Sequence, residues 1–214
     1  MNILITSATE LELKPVREQL SGKINADFAV TGVGATATAY NLTKLLTQNK
    51  YKLAINVGIA GSFNSDLPVG TVTEVACEIF GDSGIFSSTG FSSCFEENLI
   101  PSNAFPFNDG TLHSPYRIFP SLKKVVGLTV SGVSGSAERI EMFRKKFNPD
   151  IETMEGASFF FVCLSEGVKF AEVRAISNCV EPRDKSRWNI PLALKNLSQA
   201  LEELSALLSD GIMT

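Results

Sequence analysis

The chain has a single histidine among its 214 residues, His113, and that scarcity narrows its chemistry at once. A Ser-His-Asp or Cys-His arrangement would have to be built on this one imidazole. The segment around it, Thr111-Leu112-His113-Ser114-Pro115, reads as a loop with His113 at the surface or an interface. If the chain is an enzyme, its acids and bases are therefore expected to be carboxylates. Cysteine is equally uninformative for metal chemistry. Cys77, Cys94, Cys163 and Cys179 form no Cys-x-x-Cys pair, which argues against a zinc site and a disulfide framework and suits a reducing cytoplasm. Positive charge is not in excess. A formal net charge of −4 offers no basic surface for nucleic acid and no polybasic anchor for a membrane. No apolar run approaches the ~20 residues needed to span a bilayer. The opening strand, Asn2–Thr6, lacks the basic region and cleavage site of a signal peptide.

What the chain does have is an alternation of strand and helix signals, with no repeat, low-complexity tract or linker. Residues 1–214 are expected to form one α/β domain, a three-layer αβα sandwich around a mostly parallel or mixed central sheet. Strands are expected at Met1–Thr6, Asp27–Thr31, Leu53–Val57, Gly70–Phe80, Lys124–Ser131 and Phe170–Ser177. Helices are expected at Glu10–Leu20, Ala35–Gln48, Ser136–Phe147 and Glu155–Glu166. A last helix begins at Pro191, with Ala193, Leu197, Ala200, Leu204 and Leu207 or Leu208 as its buried stripe. Gly58-Ile-Ala-Gly61 reads as a tight loop after the third strand, and Gly81–Pro120 as long loops or short strands.

Gly32-Val-Gly-Ala-Thr-Ala37 matches the dinucleotide-binding fingerprint, but that fingerprint expects an acidic residue about twenty positions on. Ala35 through Ser65 contains no Asp or Glu, which argues against a nicotinamide cofactor. What remains is a glycine turn whose backbone approaches a ligand or packs closely. Glu12, Glu155 and Asn178 each lie beside an expected strand end, where ligands of open α/β sheets bind. Each also has an ordinary reading, as a helix-start glutamate or a strand-capping asparagine.

Six stretches carry a resemblance. Ser7-Ala-Thr-Glu-Leu-Glu12, Thr31-Gly-Val-Gly34, Asn56-Val-Gly-Ile-Ala-Gly61, Leu67-Pro-Val-Gly70, Thr153-Met-Glu-Gly156 and Arg174-Ala-Ile-Ser-Asn178 resemble the nucleoside phosphorylase/hydrolase family, and within it the bacterial nucleosidases. Ser131–Ile140 and Ile176–Trp188 resemble the branch that releases hypoxanthine in an alternative menaquinone pathway.

The resemblance implies a phosphorylase-like fold, a small-molecule purine nucleoside as substrate, no cofactor or metal, and a homodimer or higher homo-oligomer. It implies that Glu12 is the base that activates water and that Glu155 binds the ribose hydroxyls. Met154 would pack on the sugar, and Ala60 and Gly61 would line the ribose and water site. Gly135 and the candidate substrate-binding Ser136 fall where related enzymes place an aromatic against the purine, so Phe159 or Trp188 would stack on the base instead. Adenine-cutting nucleosidases carry aspartate where this chain has Asn178. An amide can donate to the O6 of a 6-oxopurine and accept from a protonated N7, which favours hypoxanthine. Arg183 or Arg187 would meet a 5′ carboxylate, and phenylalanines between Phe86 and Phe107 would form either a subunit interface or core.

The regions where phosphorylases of this fold carry phosphate-binding arginines read Thr6-Ser-Ala-Thr9 and Ile55-Asn-Val-Gly58 here. Without a cation a phosphate dianion is poorly held, so water is the expected nucleophile. A phosphorylase, an adenine-nucleoside nucleosidase and a non-catalytic nucleoside-binding module remain as alternatives.

Overall fold

The computed structural model describes residues 2–88, 90–182 and 184–209. The chain opens with β1 (Ile3–Ser7), α1 (Glu10–Leu20), β2 (Ala26–Val30), α2 (Ala35–Gln48) and β3 (Leu53–Ser62). There follow β4 (Val72–Phe80), the hairpin β5 (Gly84–Ser87) and β6 (Gly90–Ser93), a short β7 (Leu112–His113) and β8 (Lys123–Thr129). The remainder is α3 (Ala137–Phe147), β9 (Ile151–Thr153), α4 (Gly156–Ser165), β10 (Lys169–Cys179), α5 (Ile190–Ala200) and α6 (Glu202–Ser209).

The main sheet is mixed. β2, β1, β3 and β10 run parallel side by side, β4 joins β10 antiparallel, and β8 and β9 continue from β4 in parallel. β9 then pairs antiparallel with the end of β3, so the sheet closes into a ring of β3, β10, β4, β8 and β9. Helices cover both faces, which explains the near-continuous apolar strands. Ile3, Ile5, Ile55 and Val57 point to a core built with Leu13 and Val16 of α1 and Leu197 of α5. Leu4 and Ala54, one residue out of phase, point to Leu42 of α2 and to Phe160 and Cys163 of α4. Phe143 of α3 packs on Leu128 and Val130.

Two expectations fail for identifiable reasons. Gly58–Gly61 is not a loop but the second half of β3, paired with β10 and β9. Its glycines are there because neighbouring side chains fill the space. A Cβ on Gly58 would meet Arg174 Nη1 at 2.1 Å, and one on Gly61 would meet Val180 at 2.9 Å. The final helix is two helices, α5 and α6, meeting at Leu201. Leu201 rather than Ala200 enters the buried stripe, with Leu197, Leu204 and Leu207.

Candidate active site

The carboxyl ends of β1, β3, β8, β9 and β10 surround a cavity of about 380 Å³, the position at which open α/β sheets bind ligands. Glu12, Ala60, Gly61, Met154, Glu155 and Asn178 all line it. Among its described lining residues there is no lysine or arginine, while Glu12, Glu152, Glu155, Glu181 and Asp184 are all present.

Glu12 is set by the start of α1. Thr9 caps that helix, and Glu12, at its third position, reaches back so that Thr9 N (3.1 Å) and Thr9 Oγ1 (2.7 Å) donate to Oε2. The other oxygen, Oε1, accepts from Ile59 N at 3.1 Å. A carboxylate oxygen has two acceptor sites, so Oε1 keeps a lone pair for a further donor.

Glu155 enters from the start of α4 and is 6% exposed. Gly34 N donates to its Oε1 at 2.9 Å. The glycine turn that resembled a dinucleotide loop thus serves a carboxylate of its own chain. Gly32 and Gly34 both have φ of +89°, backbone that an L side chain strains to adopt. Burial raises the pKa of Glu155 above its ordinary value, against the opposing pull of the Arg174 charge and the Gly34 N–H.

Arg174 is buried and was not singled out from the sequence, although it opens one of the stretches that carried the resemblance. Its Nε donates to Glu172 Oε1 at 2.7 Å and its Nη2 to Asn56 Oδ1. Its positive charge also acts on Glu155 and Glu12. An alternating charged pattern inside an apolar strand, Glu172 and Arg174, was the available signal. Behind it lies Glu78, whose pKa burial pushes well above the ordinary carboxylate value and the neighbouring Glu172 pushes further. Burial also raises Glu172, against the pull of Arg174. Glu78 accepts from Thr129 Oγ1 at 2.8 Å, and Glu172 Oε2 has no hydrogen-bond partner among the described residues.

Asn178 follows a bulge in β10, where the register against β3 shifts between Ile176 and Asn178. Ser177 Oγ donates to Asn178 Oδ1 at 2.7 Å, and Asn178 Nδ2 donates to Cys179 O at 2.9 Å. Those two contacts fix which way the amide faces, and they leave one N–H and one lone pair unspent.

The remaining sequence-derived residues divide. Trp188 lines the cavity, whereas Phe159 is fully buried against Phe160 and Phe170 and cannot stack on a ligand there. Ser136 does not reach the cavity. It is exposed and caps α3, accepting from Arg139 N at 3.3 Å, while Val133 and Ser134 form that part of the wall. Arg187 is bonded to Glu181, a lining residue, at 2.6 Å. Arg183 lies outside the described residues. His113 is exposed and absent from the cavity wall. Phe91 is buried and Phe107 packs on Phe80, Phe95 and Phe161, but Phe86 and Phe105 are exposed.

Residues 2–210 match the Phosphorylase superfamily, and the chain belongs to that family. Its relatives include a futalosine hydrolase of Thermus thermophilus, 32% identical over 82% of this chain and 79% of that one. A futalosine hydrolase of Streptomyces coelicolor is 30% identical over 85% of this chain and 79% of its own. Among solved structures, a 5′-methylthioadenosine/S-adenosylhomocysteine nucleosidase of Helicobacter pylori superposes with a TM-score of 0.82 at 17% identity. The superposition covers 96% of this chain and 98% of that one, a likeness of fold.

Proposed function

We propose that the protein is a futalosine hydrolase, cleaving the N-glycosidic bond of futalosine with water and releasing hypoxanthine. The named relatives support this reading, and the charge of the cavity wall carries the choice of water over phosphate. With five carboxylates and no cation among the described lining residues, a phosphate dianion would be repelled and left without a guanidinium or ammonium partner. Water meets no such barrier.

In this reading Glu12 takes a proton from the attacking water through the free lone pair on Oε1. The C1′–N9 bond breaks with its electron pair going to the purine, which takes up a proton from solvent at N7, while the proton on Glu12 returns to solvent. Glu155 accepts from the ribose hydroxyls and, with Glu12, stabilises the positive charge that develops on the sugar. Asn178 uses its free N–H on O6 and its free lone pair on N7–H. Met154, Ala60 and Gly61 line the sugar. The 5′ carboxylate meets Arg187 once that side chain leaves Glu181, or else Arg183.

The test is purine release from futalosine, aminofutalosine and methylthioadenosine, each with and without inorganic phosphate. Phosphate-independent release of hypoxanthine from futalosine is the expected result. Strict phosphate dependence would make the protein a phosphorylase, and preferential adenine release would overturn the assignment of the base. Asn178→Asp is expected to move the preference towards aminofutalosine. The same reading puts the protein in the cytoplasm, in menaquinone formation, and as a homo-oligomer. Exposed Leu99 and Phe105 favour the last, and sedimentation of the purified protein checks it. No helix among the described residues is long and apolar enough to cross a membrane.

A further inference from the structure

Gly61 lies in the middle of a row of three residues on three adjacent strands. Its partner on β10 is Asn178 and its partner on β9 is Glu152. Side chains paired across neighbouring strands project to the same side of a sheet, and both of these line the cavity. Between them Gly61 offers only backbone. A side chain there would be crowded, since its Cβ would lie 2.9 Å from Val180 and 3.2 Å from Asn178 Nδ2. Two strand spacings separate the flanking backbones by about 10 Å. The row is therefore a bare floor with one polar group at each end.

Glu152 is only 6% exposed. Ser134 N donates to its Oε1 at 2.9 Å and Ser134 Oγ to its Oε2 at 2.5 Å. Each oxygen retains a second acceptor site. Burial raises the carboxyl's pKa, opposed by both Ser134 donors and the charge of Arg139. Arg139 itself is bonded to Asp82 at 3.0 Å. The water and ribose chemistry assigned to Glu12 and Glu155 makes no use of Glu152. Its effect on the wall is nonetheless definite. The Ser134 amide is occupied, so this end of the floor presents an acceptor rather than a backbone donor.

We propose that Glu152 is a specificity-determining residue for the base, accepting the N1–H of a 6-oxopurine whose O6 and N7 are held by Asn178. This rests on the futalosine reading above. Hypoxanthine carries a proton on N1, whereas adenine presents a lone pair there, which would face the carboxylate unpaired. The two ends of the Gly61 row then read opposite sides of the same carbonyl. A site that leaves a buried polar group unmatched against the wrong base discriminates by factors of up to ~10⁴.

The experiment compares kcat/KM for futalosine and aminofutalosine in the wild-type protein and in Glu152→Gln, which keeps the size of the side chain and its capacity to bond Ser134. The expected result is a wild-type preference for futalosine that shrinks by about ten- to a hundredfold in the variant, the value of one hydrogen bond to a charged group. A preference that survives intact, or a variant that loses both activities in equal proportion, would overturn the role of Glu152 while leaving the function standing. A wild-type preference for aminofutalosine would overturn both. A second measurement needs no variant: inhibition of the wild-type enzyme by hypoxanthine and by its 1-deaza analogue, in which C–H replaces N1–H. Inhibition at least tenfold weaker by the analogue supports the contact, and equal inhibition by the two excludes it.

Discussion

Glu12 and Arg174 meet at the bare Cα of Gly58. A Cβ on that residue would lie 2.9 Å from the Glu12 Oε1 and 2.1 Å from the Arg174 Nη1. Arg174 cannot yield easily, because Glu172 and Asn56 hold its other nitrogens inside the sheet. Gly58→Ala is therefore expected to displace the Glu12 carboxylate and to destabilise the fold by about 1–3 kcal/mol, the usual range for overpacking. Thermal unfolding and hypoxanthine release measured on the same protein check both effects. Wild-type values for both would contradict the close approach described here.

Glu12→Gln separates catalysis from folding. Glutamine can stand in for glutamate in a capping box, so the melting temperature should stay close to that of the wild type. Loss of the base should lower kcat by about 10²–10⁴-fold. Nucleoside binding, followed by the thermal shift it causes, should persist. Activity retained in this variant would remove Glu12 from the role of base.

The acid side of the pH profile should report on Glu155. Burial raises its pKa, so protonation begins above the ordinary glutamate value of about 4.3. A protonated Glu155 would lose acceptor capacity for the ribose hydroxyls and its share of the stabilising negative charge. The kcat/KM profile is expected to fall on its acid limb with an apparent pKa above that ordinary value. A profile flat down to pH 4.5 would contradict this.

Stability should show the opposite slope at Glu78. The folded protein holds a proton on Glu78 to higher pH than the unfolded chain does, because burial and Glu172 raise its pKa. Folded molecules then bind more protons than unfolded ones above the ordinary carboxylate value, and stability declines as pH rises through that window. Glu78→Gln removes the titrating group and should flatten the decline. Denaturant unfolding at a series of pH values above 4.5 provides the check, and equal slopes for the two proteins would refute it.

The parts of the fold readable from sequence were those written in local signals. Thr9 and Glu12 announce α1, and the expected span Glu10–Leu20 is the observed one. Ala35–Gln48 was likewise given by its apolar periodicity after a glycine turn. What escaped depended on neighbours distant in sequence. Gly58 and Gly61 are glycines because Arg174, Val180 and Asn178 crowd them, a reason that sounds locally like a loop. β9 is three residues long, too short for any periodicity, and Glu152 went unnoticed with it. Ser136 lies two residues beyond the wall, since Ser134 is the residue that reaches it. Glu12, Glu155 and Asn178 sit in stretches with recognisable neighbours, and the cavity brings them together.

β9 pairs with β3 at two positions, Gly61 with Glu152 and Ser62 with Ile151, and Phe63 N donates to Asp150 O at 2.8 Å just beyond them. It is nevertheless the piece that turns an open sheet into a ring. The pocket is thus assembled across a clasp rather than carved into one continuous slab. So few backbone bonds make that clasp a natural place for the ring to open before the rest of the sheet does. A nucleoside lying across Gly61 would rest on both sides of the join, and its binding would fasten the barrel as well as fill it.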